Sequence, residues 1–382
     1  MCGIAGLTNS TLNKKDALDF QKIYKFLRHR GPDDTGFFVN NNLSLVHTRL
    51  SIIDIENGRQ PINSGDYILI ANGEIYNDVE IRKQNKNYKF ITKSDCESIL
   101  AVYKKNGIEG FEKLRGMYSF AIYDKKKQQL ILSRDDFGIK PLYFCETNKG
   151  FIFSSEIQAI LNVTKQIFKI RNDKFIEFLQ MQYCSGNSTI YSGINRLRPG
   201  ETLIISEGKI IKSFLNKNKL LVENKKKSFH FASFDAILSK SVKLHLRSDV
   251  PSCLFFSGGI DSMLLLYYIK KFSVSKIKSF HVKVRDTKTD FDQNFLSSLS
   301  RKFDTEFEEV VFTDKDFWNL LPEAAKIVDD PVADYAILPT IKLAKKVSKD
   351  KFKVVLTGEG GDEIFAGYGR YKKNPKRFFK SP

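Results

Sequence analysis

No stretch of this sequence approaches the roughly 18 consecutive apolar residues of a membrane-spanning helix. Nor does the N-terminus carry a basic region followed by an apolar one. Membrane and secreted readings therefore fall. Cysteine is scarce, odd in number and scattered, at Cys2, Cys96, Cys145, Cys184 and Cys253. Without a CxxC pair there is no sign of a zinc site or a dithiol redox centre, and a reducing cytoplasm fits best. Acidic residues are few beside basic ones, 44 against 62, for a formal net charge of +18. The lysines are spread along the chain, as at Lys125–Lys127, Lys225–Lys227 and Lys345–Lys346. That pattern reads as solvated faces rather than a nucleic-acid surface. No repeat of solenoid period is present.

Hydrophobic residues are 42% and charged residues 28% of the 382, which is globular composition, and the length suits two or three domains of ~100–200 residues. The first 160 or so residues carry short strand patterns at Ile4–Thr8, Leu45–Ile53, Tyr67–Ala71, Tyr118–Asp124 with Gln129–Ser133, and Phe151–Ser154. Helical patterns interrupt them near Asp16–Phe26 and Asp95–Lys105. This predicts an α+β fold of stacked antiparallel sheets with flanking helices. From Ser252 the rhythm becomes strand, turn, helix, strand: Ser252–Phe256, Met263–Phe272, Ile277–Val284, Glu308–Phe312, Lys353–Leu356. That alternation predicts an α/β domain with a parallel sheet. Boundaries are expected at 2–215 and 229–382, with the lysine- and asparagine-rich stretch 216–228 as linker.

Cys2 follows the initiator Met. If Met1 is removed, Cys2 owns a thiol and a free α-amine, and the amine can act as the thiol's general base. Attack on a carboxamide would create an oxyanion, for which the Asn72 side-chain amide and the Gly73 backbone N–H are candidate donors. Arg49 could fork onto an α-carboxylate, and Glu74 and Asp95 could accept bonds from an α-ammonium. Taken singly, each residue has a plainer reading. Asn72-Gly73 reads as a hairpin turn, Ser94-Asp95-Cys96-Glu97 as a helix capping box, and Arg49 as a surface ion-pair partner.

In combination the residues point elsewhere. Met1-Cys2-Gly3-Ile4-Ala5-Gly6 is followed by Arg28-His29-Arg30-Gly31-Pro32-Asp33, Arg49-Leu50-Ser51-Ile52-Ile53-Asp54, Asn72-Gly73-Glu74-Ile75-Tyr76-Asn77 and Ser94-Asp95. Arg134-Asp135, Gly138-Ile139-Lys140-Pro141-Leu142-Tyr143 and Ser155-Glu156 come next. This order resembles the glutamine amidotransferase domain of the N-terminal-nucleophile hydrolase class, in the version found in asparagine synthetases. The resemblance implies that Cys2, Asn72 and Gly73 are catalytic. It implies that Arg49, Leu50, Ser51, Ile52, Ile53, Asn72, Gly73, Glu74 and Asp95 bind glutamine.

A second constellation begins at Ser257-Gly258-Gly259-Ile260-Asp261-Ser262, a glycine loop between a strand pattern and a helix pattern. Backbone N–H groups at such a place can cradle phosphates. The loop lacks the Gly-Lys-Ser/Thr ending of a Walker A motif and resembles the PP-loop of ATP pyrophosphatases, in an adenine nucleotide alpha hydrolase-like fold. Thr357-Gly358-Glu359-Gly360-Gly361-Asp362 resembles the second asparagine synthetase signature, with Thr357 where serine is common. The resemblance implies ATP contacts at Phe255, Ser257, Gly258, Gly259, Asp261, Ser262, Val282, Thr357 and Gly358, a catalytic role for Glu359, and Mg²⁺ on Asp261 and Asp362. Asp329–Thr340 resembles the acceptor-side region, with Tyr335 and Leu338 in place of small residues.

Together these imply glutamine hydrolysis feeding ammonia to an aspartate carboxylate that ATP has activated. ATP serves as substrate, Mg²⁺ as cofactor, and glutamine and aspartate complete the small-molecule partners. A homodimer is compatible with the resemblance. Open alternatives are a related amidotransferase acting on a peptide or a cell-surface sugar precursor, a fragment with glutaminase activity only, and a non-catalytic RNA-associated protein. The family usually continues well beyond the second glycine loop, whereas this sequence stops at Pro382. The expectation is therefore a fragment or shortened protein whose synthetase half is incomplete, hydrolysing glutamine but forming little asparagine.

Overall fold

A computed structural model describes residues 1–216, 230–273, 276–285 and 293–369. Most of the 216–228 stretch read as a linker lies outside the described residues. The chain divides into two compact units, Met1–Lys227 with Lys326–Asp334, and Ser228–Ala325 with Tyr335–Pro382.

The first unit contains β1 (Gly3–Thr8), β2 (Asp34–Val39), β3 (Leu43–Arg49), β4 (Ile62–Ser64), β5 (Tyr67–Ile75), β6 (Gly116–Asp124), β7 (Gln129–Arg134), β8 (Tyr143–Thr147), β9 (Gly150–Ser154), β10 (Ile194–Arg196), β11 (Glu201–Ser206) and β12 (Lys209–Leu215). They form two six-stranded antiparallel sheets, ordered β10-β8-β9-β1-β3-β2 and β12-β11-β7-β6-β5-β4. Alternation along the strands explains the stacking, because successive side chains point to opposite faces. Ile4, Leu43 and Leu45 of one sheet share a core with Ile68, Ile70, Ala121 and Leu132 of the other. The intervening residues face helices: Leu69 and Ala71 pack with Ile99 and Val102 of the helix Glu97–Asn106. Ala5 and Val46 pack with Phe20 and Ile160 on the opposite side. The result is a helix–sheet–sheet–helix sandwich.

Two sequence-derived bounds change for local reasons. The pattern at Asp16–Phe26 becomes two helices, Lys14–Gln21 and Tyr24–Leu27, because three-residue hydrogen bonds such as Ile23 N–H to Phe20 O tighten the chain between them. The strand pattern Leu45–Ile53 stops at Arg49. There the guanidinium gathers the carbonyls of Ile53, Asp54 and Ile55, which folds the rest into a loop.

In the second unit β13 (Ser252–Phe255), β14 (Lys278–Val284), β15 (Glu306–Phe312) and β16 (Val354–Leu356) make a parallel sheet ordered β15-β14-β13-β16. Both faces are apolar, as parallel sheets require. Leu254, Phe256, Leu266 and Leu299 pack on one face, and Cys253, Phe280, Val310 and Leu343 on the other. Strand order reverses beside β13, where β14 lies on one side and β16 on the other. Ligands of open α/β sheets bind outside the C-terminal strand ends at such a point. Both glycine loops leave from there, one after β13 and one after β16.

Candidate active site

The polar end of the first unit's inter-sheet space follows from strand register. Continuing the inward-facing series Leu43 and Leu45 by twos reaches His47 and Arg49, and continuing Ile68 and Ile70 reaches Asn72 and Glu74. Stepping back from Ile4 reaches Cys2. These groups therefore converge from both sheets. His47 Nε2 bonds the carbonyl of Ala71 across the gap at 3.2 Å, and the Leu50 N–H donates to Cys2 Sγ at 3.4 Å.

Charge couples the same residues. Burial pushes the Cys2 thiol above its ordinary pKa, while the Leu50 N–H, the chain's terminal amine and Arg49 pull it down and Glu74 opposes them. The terminal amine itself is lowered to about 6, first by burial and then by the positive charges of Arg30 and Lys140. Burial holds His47 neutral, at about 3.

Asn72 lies within a strand and not in a turn. It pairs with Ser119 of β6, and Gly73 pairs with Tyr118, so the hairpin reading of Asn72-Gly73 is wrong. Non-local pairing overrides the local turn preference. Gly73 is required for a different reason. A Cβ there would stand 2.5 Å from the carbonyl oxygen of Met117 and 2.7 Å from Tyr118 Cα, both rigid backbone atoms. Gly73→Ala is expected to destabilise the chain by about 1–3 kcal/mol through overpacking. Urea unfolding of the variant beside the parent checks this.

Asn72 is 1% exposed, and its Nδ2 has no hydrogen-bond partner. The Oγ of its cross-strand neighbour Ser119 and the Nδ1 of His47 are likewise buried and unpartnered. A buried orphan donor costs about 1–3 kcal/mol unless something else satisfies it. Asn72 is thus an amide donor held ready at the polar end of the sheet.

The remaining candidates fall as follows. Arg49 is buried, not a surface ion-pair partner, and its bonds to Ile53, Asp54 and Ile55 use part of the fork that was expected to meet a carboxylate. Those bonds shape the Leu50–Ile53 loop, whose Ser51 N–H donates to Asp33 at 2.7 Å. The helix Glu97–Asn106 has Cys96 as its N-cap residue, with no side-chain cap bond there. Asp95 Oδ2 accepts from the Ile75 N–H at 2.6 Å, while Glu97 accepts from the Ile91 and Thr92 N–H groups, so the capping-box reading is also wrong. Lys140, named only within a motif, is buried among Glu74, Arg30 and Cys2. Burial lowers its ammonium, against the pull of Glu74.

In the second unit Gly258 has φ +79° and Gly360 φ +92°, left-handed conformations suited to glycine. Ser257 Oγ accepts from the Gly259 N–H, and Ser262 Oγ donates to the Gly259 carbonyl, closing the first loop. The loops touch. A Cβ on Gly361 would lie 2.4–2.6 Å from the Asp261 carboxyl, and one on Gly358 would lie 3.0 Å from Asp261 Cβ. Burial raises the Asp261 pKa, and the negative charges of Asp362 and Glu363 raise it further. Thr357 and Glu359 are exposed on the second loop. Phe255 and Val282 are half-buried side by side on the face carrying Cys253 and Phe280.

A family profile described as a glutamine amidotransferase domain matches residues 1–215, and one described as asparagine synthase matches 233–382. The chain belongs to the glutamine-hydrolysing asparagine synthetase family. It is 35% identical over 390 residues to asparagine synthetase [glutamine-hydrolyzing] 1 of Bacillus subtilis strain 168, covering 98% of this chain and 60% of that protein. It is 33% identical to putative asparagine synthetase [glutamine-hydrolyzing] 2 of Methanocaldococcus jannaschii, covering 96% and 76%. Asparagine synthetase B [glutamine-hydrolyzing] of Escherichia coli K12 is 29% identical, covering 98% and 66%. The chain thus spans 60% of the length of the first of these synthetases.

Against that family background, the residues that sequence reasoning left without a role are His47, Ser119, Lys140 and Arg30. Continuing the alternation of β3 from Leu43 would have exposed His47. Ser119 shows itself only through its pairing with Asn72, because the serine has no local signal.

Proposed function

We propose that the chain catalyses glutamine- and ATP-dependent amidation of aspartate to asparagine, with Cys2 as the glutaminase nucleophile. The observation that carries the first half is the buried, unpartnered Asn72 amide beside a glycine that admits no Cβ, on the strand facing Cys2. Loss of Met1 would free the Cys2 α-amine. That amine takes the thiol proton, sulfur attacks the glutamine carboxamide, and Asn72 Nδ2 with the Gly73 N–H meets the resulting oxyanion. The ammonium then protonates the leaving nitrogen. Ammonia departs, a γ-glutamyl thioester remains, and water cleaves it to glutamate. Arg49, the Leu50–Ile53 loop, Glu74 and Asp95 hold the glutamine.

In the second unit the two glycine loops and Asp261 receive Mg-ATP, with Phe255 and Val282 against the base. The residues fit a magnesium ion. Burial first, and then the Asp362 and Glu363 charges, push Asp261 toward its neutral form, an imbalance that a cation reverses. Mg²⁺ is commonly held by one or two carboxylates together with substrate phosphates, so Asp261 and Asp362 suffice on the protein side. The ion would neutralise phosphate charge while the aspartate carboxylate attacks the α-phosphorus and pyrophosphate leaves. Glu359, exposed on its loop, would act on the acceptor or the incoming ammonia. No helix among the described residues is long and apolar enough to cross a membrane.

Asn72→Ala is the sharpest test of the carrying observation. Removing one oxyanion donor typically lowers kcat about 10²–10³-fold. Steady-state glutamine hydrolysis should show that loss in kcat. A variant within twofold of the parent sinks the assignment.

A further inference from the structure

Polar groups behind Cys2 form a chain that reaches well beyond the reacting atoms. Arg30 Nε donates to the Cys2 backbone carbonyl at 3.0 Å, and Arg30 Nη1 donates to Glu156 Oε1 at 2.7 Å. His29 Nε2 bonds the same oxygen at 2.8 Å. Burial would push the Glu156 carboxyl up, but its bonds to His29 and Arg30 outweigh that and hold it below the usual range. Arg30 is therefore gripped at one end by a buried carboxylate and at the other by the nucleophile's own backbone.

Glu156 is also the residue from which the helix Ile157–Thr164 starts. The Gln158 N–H in its first turn donates to Asp329 Oδ1 at 3.0 Å. Asp329 belongs to Lys326–Asp334, the segment that packs within the first unit although it lies more than a hundred residues further along the chain. Its neighbour Asp330 pins that segment through Arg196 and the Ile190 N–H. The Ala333 N–H bonds the Gln182 carbonyl at 2.8 Å.

We propose that Glu156 is a positioning residue for Cys2, acting through Arg30, and that Asp329 sets the charge against which Glu156 holds Arg30. The inference rests on Cys2 being the nucleophile. The groups facing Asp329 are Glu156 at the helix start, Arg30, Tyr143 of β8, and Asp330 on its own segment. Burial raises the Asp329 carboxyl to about 7, with help from the Glu156 charge, while the Gln158 and Ile157 amides and Arg30 pull the other way. Below that pH Asp329 is neutral, and Glu156 alone holds the guanidinium. Above it two carboxylates compete for one Arg30 and loosen its bond to the Cys2 carbonyl. Hydrolysis in the first unit thereby becomes sensitive to a segment that carries part of the acceptor-side motif.

The test measures kcat and KM for glutamine hydrolysis from pH 5.5 to 9, and the rate at which iodoacetamide alkylates Cys2. The full chain is compared with Glu156→Gln, Asp329→Asn and Cys2→Ala. A small misplacement of a reacting group costs up to about a hundredfold, so Glu156→Gln should lower kcat about ten- to a hundredfold with KM within about twofold. It should slow alkylation as well. Asp329→Asn should abolish the decline of kcat above neutral pH. A loss confined to KM, or an unchanged alkylation rate in Glu156→Gln, overturns the proposal. So does an Asp329→Asn profile that superimposes on the parent's. Should Glu156→Gln melt below assay temperature, the near-isosteric Asp329→Asn decides. Persisting hydrolysis in Cys2→Ala would instead defeat the nucleophile assignment, leaving the alkylation rates to report on positioning independently.

Discussion

Cys2→Ala is expected to abolish glutamine hydrolysis while ammonia-dependent chemistry in the second unit persists. Alanine keeps the backbone carbonyl that accepts from Arg30 and loses only the sulfur beside the Leu50 N–H. The fold should survive, and the reaction should fall to background, because single knock-outs of a nucleophile cost on the order of 10⁶ in kcat. The α-amine supplies a second, independent signature. Burial lowers the Met1 amine to about 6 from an ordinary 8, and loss of Met1 would move the free amine onto Cys2 itself. A base works only when unprotonated, so kcat/KM should fall on the acid side as the Cys2 amine takes up its proton. Intact-mass measurement should find Met1 absent from every active preparation. An active chain that retains Met1 would refute the use of the amine.

Asp261→Asn and Asp362→Asn are expected to suppress ATP–pyrophosphate exchange and leave glutamine hydrolysis within about twofold, since the acids lie in the other compact unit. Each change removes a charge that a magnesium ion would need. Asp261→Asn also relieves the repulsion that Asp362 and Glu363 exert on Asp261. Without ligand this variant should therefore be no less stable than the parent, even as it loses function. Because the two carboxylates sit on loops that touch at Gly361, they are near enough to share one ion, and the double variant should lose less than the product of the single losses. Magnesium titrations of exchange activity read all three variants. Strictly multiplicative effects would assign the acids to separate tasks.

Much of the architecture was legible beforehand because alternation in strands and strand–helix rhythm are properties of neighbouring residues. The strand-to-helix glycine loop at Ser257–Ser262 was placed correctly because left-handed turns demand glycine locally, as Gly258 shows. The failures share a cause. Asn72-Gly73 has the composition of a turn and Ser94-Asp95-Cys96-Glu97 that of a cap, yet neighbours distant in sequence claim both, β6 in one case and the Ile75 N–H in the other.

The sequence by itself determined the order of the candidate residues, antiparallel sheets ahead of a parallel one, and the presence of Cys2 and two glycine loops. Only the tertiary structure decided that Asn72 Nδ2 and Ser119 Oγ are buried without partners, that part of Arg49 is spent on its own loop, and that Asp261 rests against Gly361. It alone placed Asp329 at the start of the helix that follows Glu156. The reason is physical. Propensity and periodicity act over a few residues, whereas burial, desolvation and the satisfaction of a polar atom depend on which strands and segments the whole chain brings together.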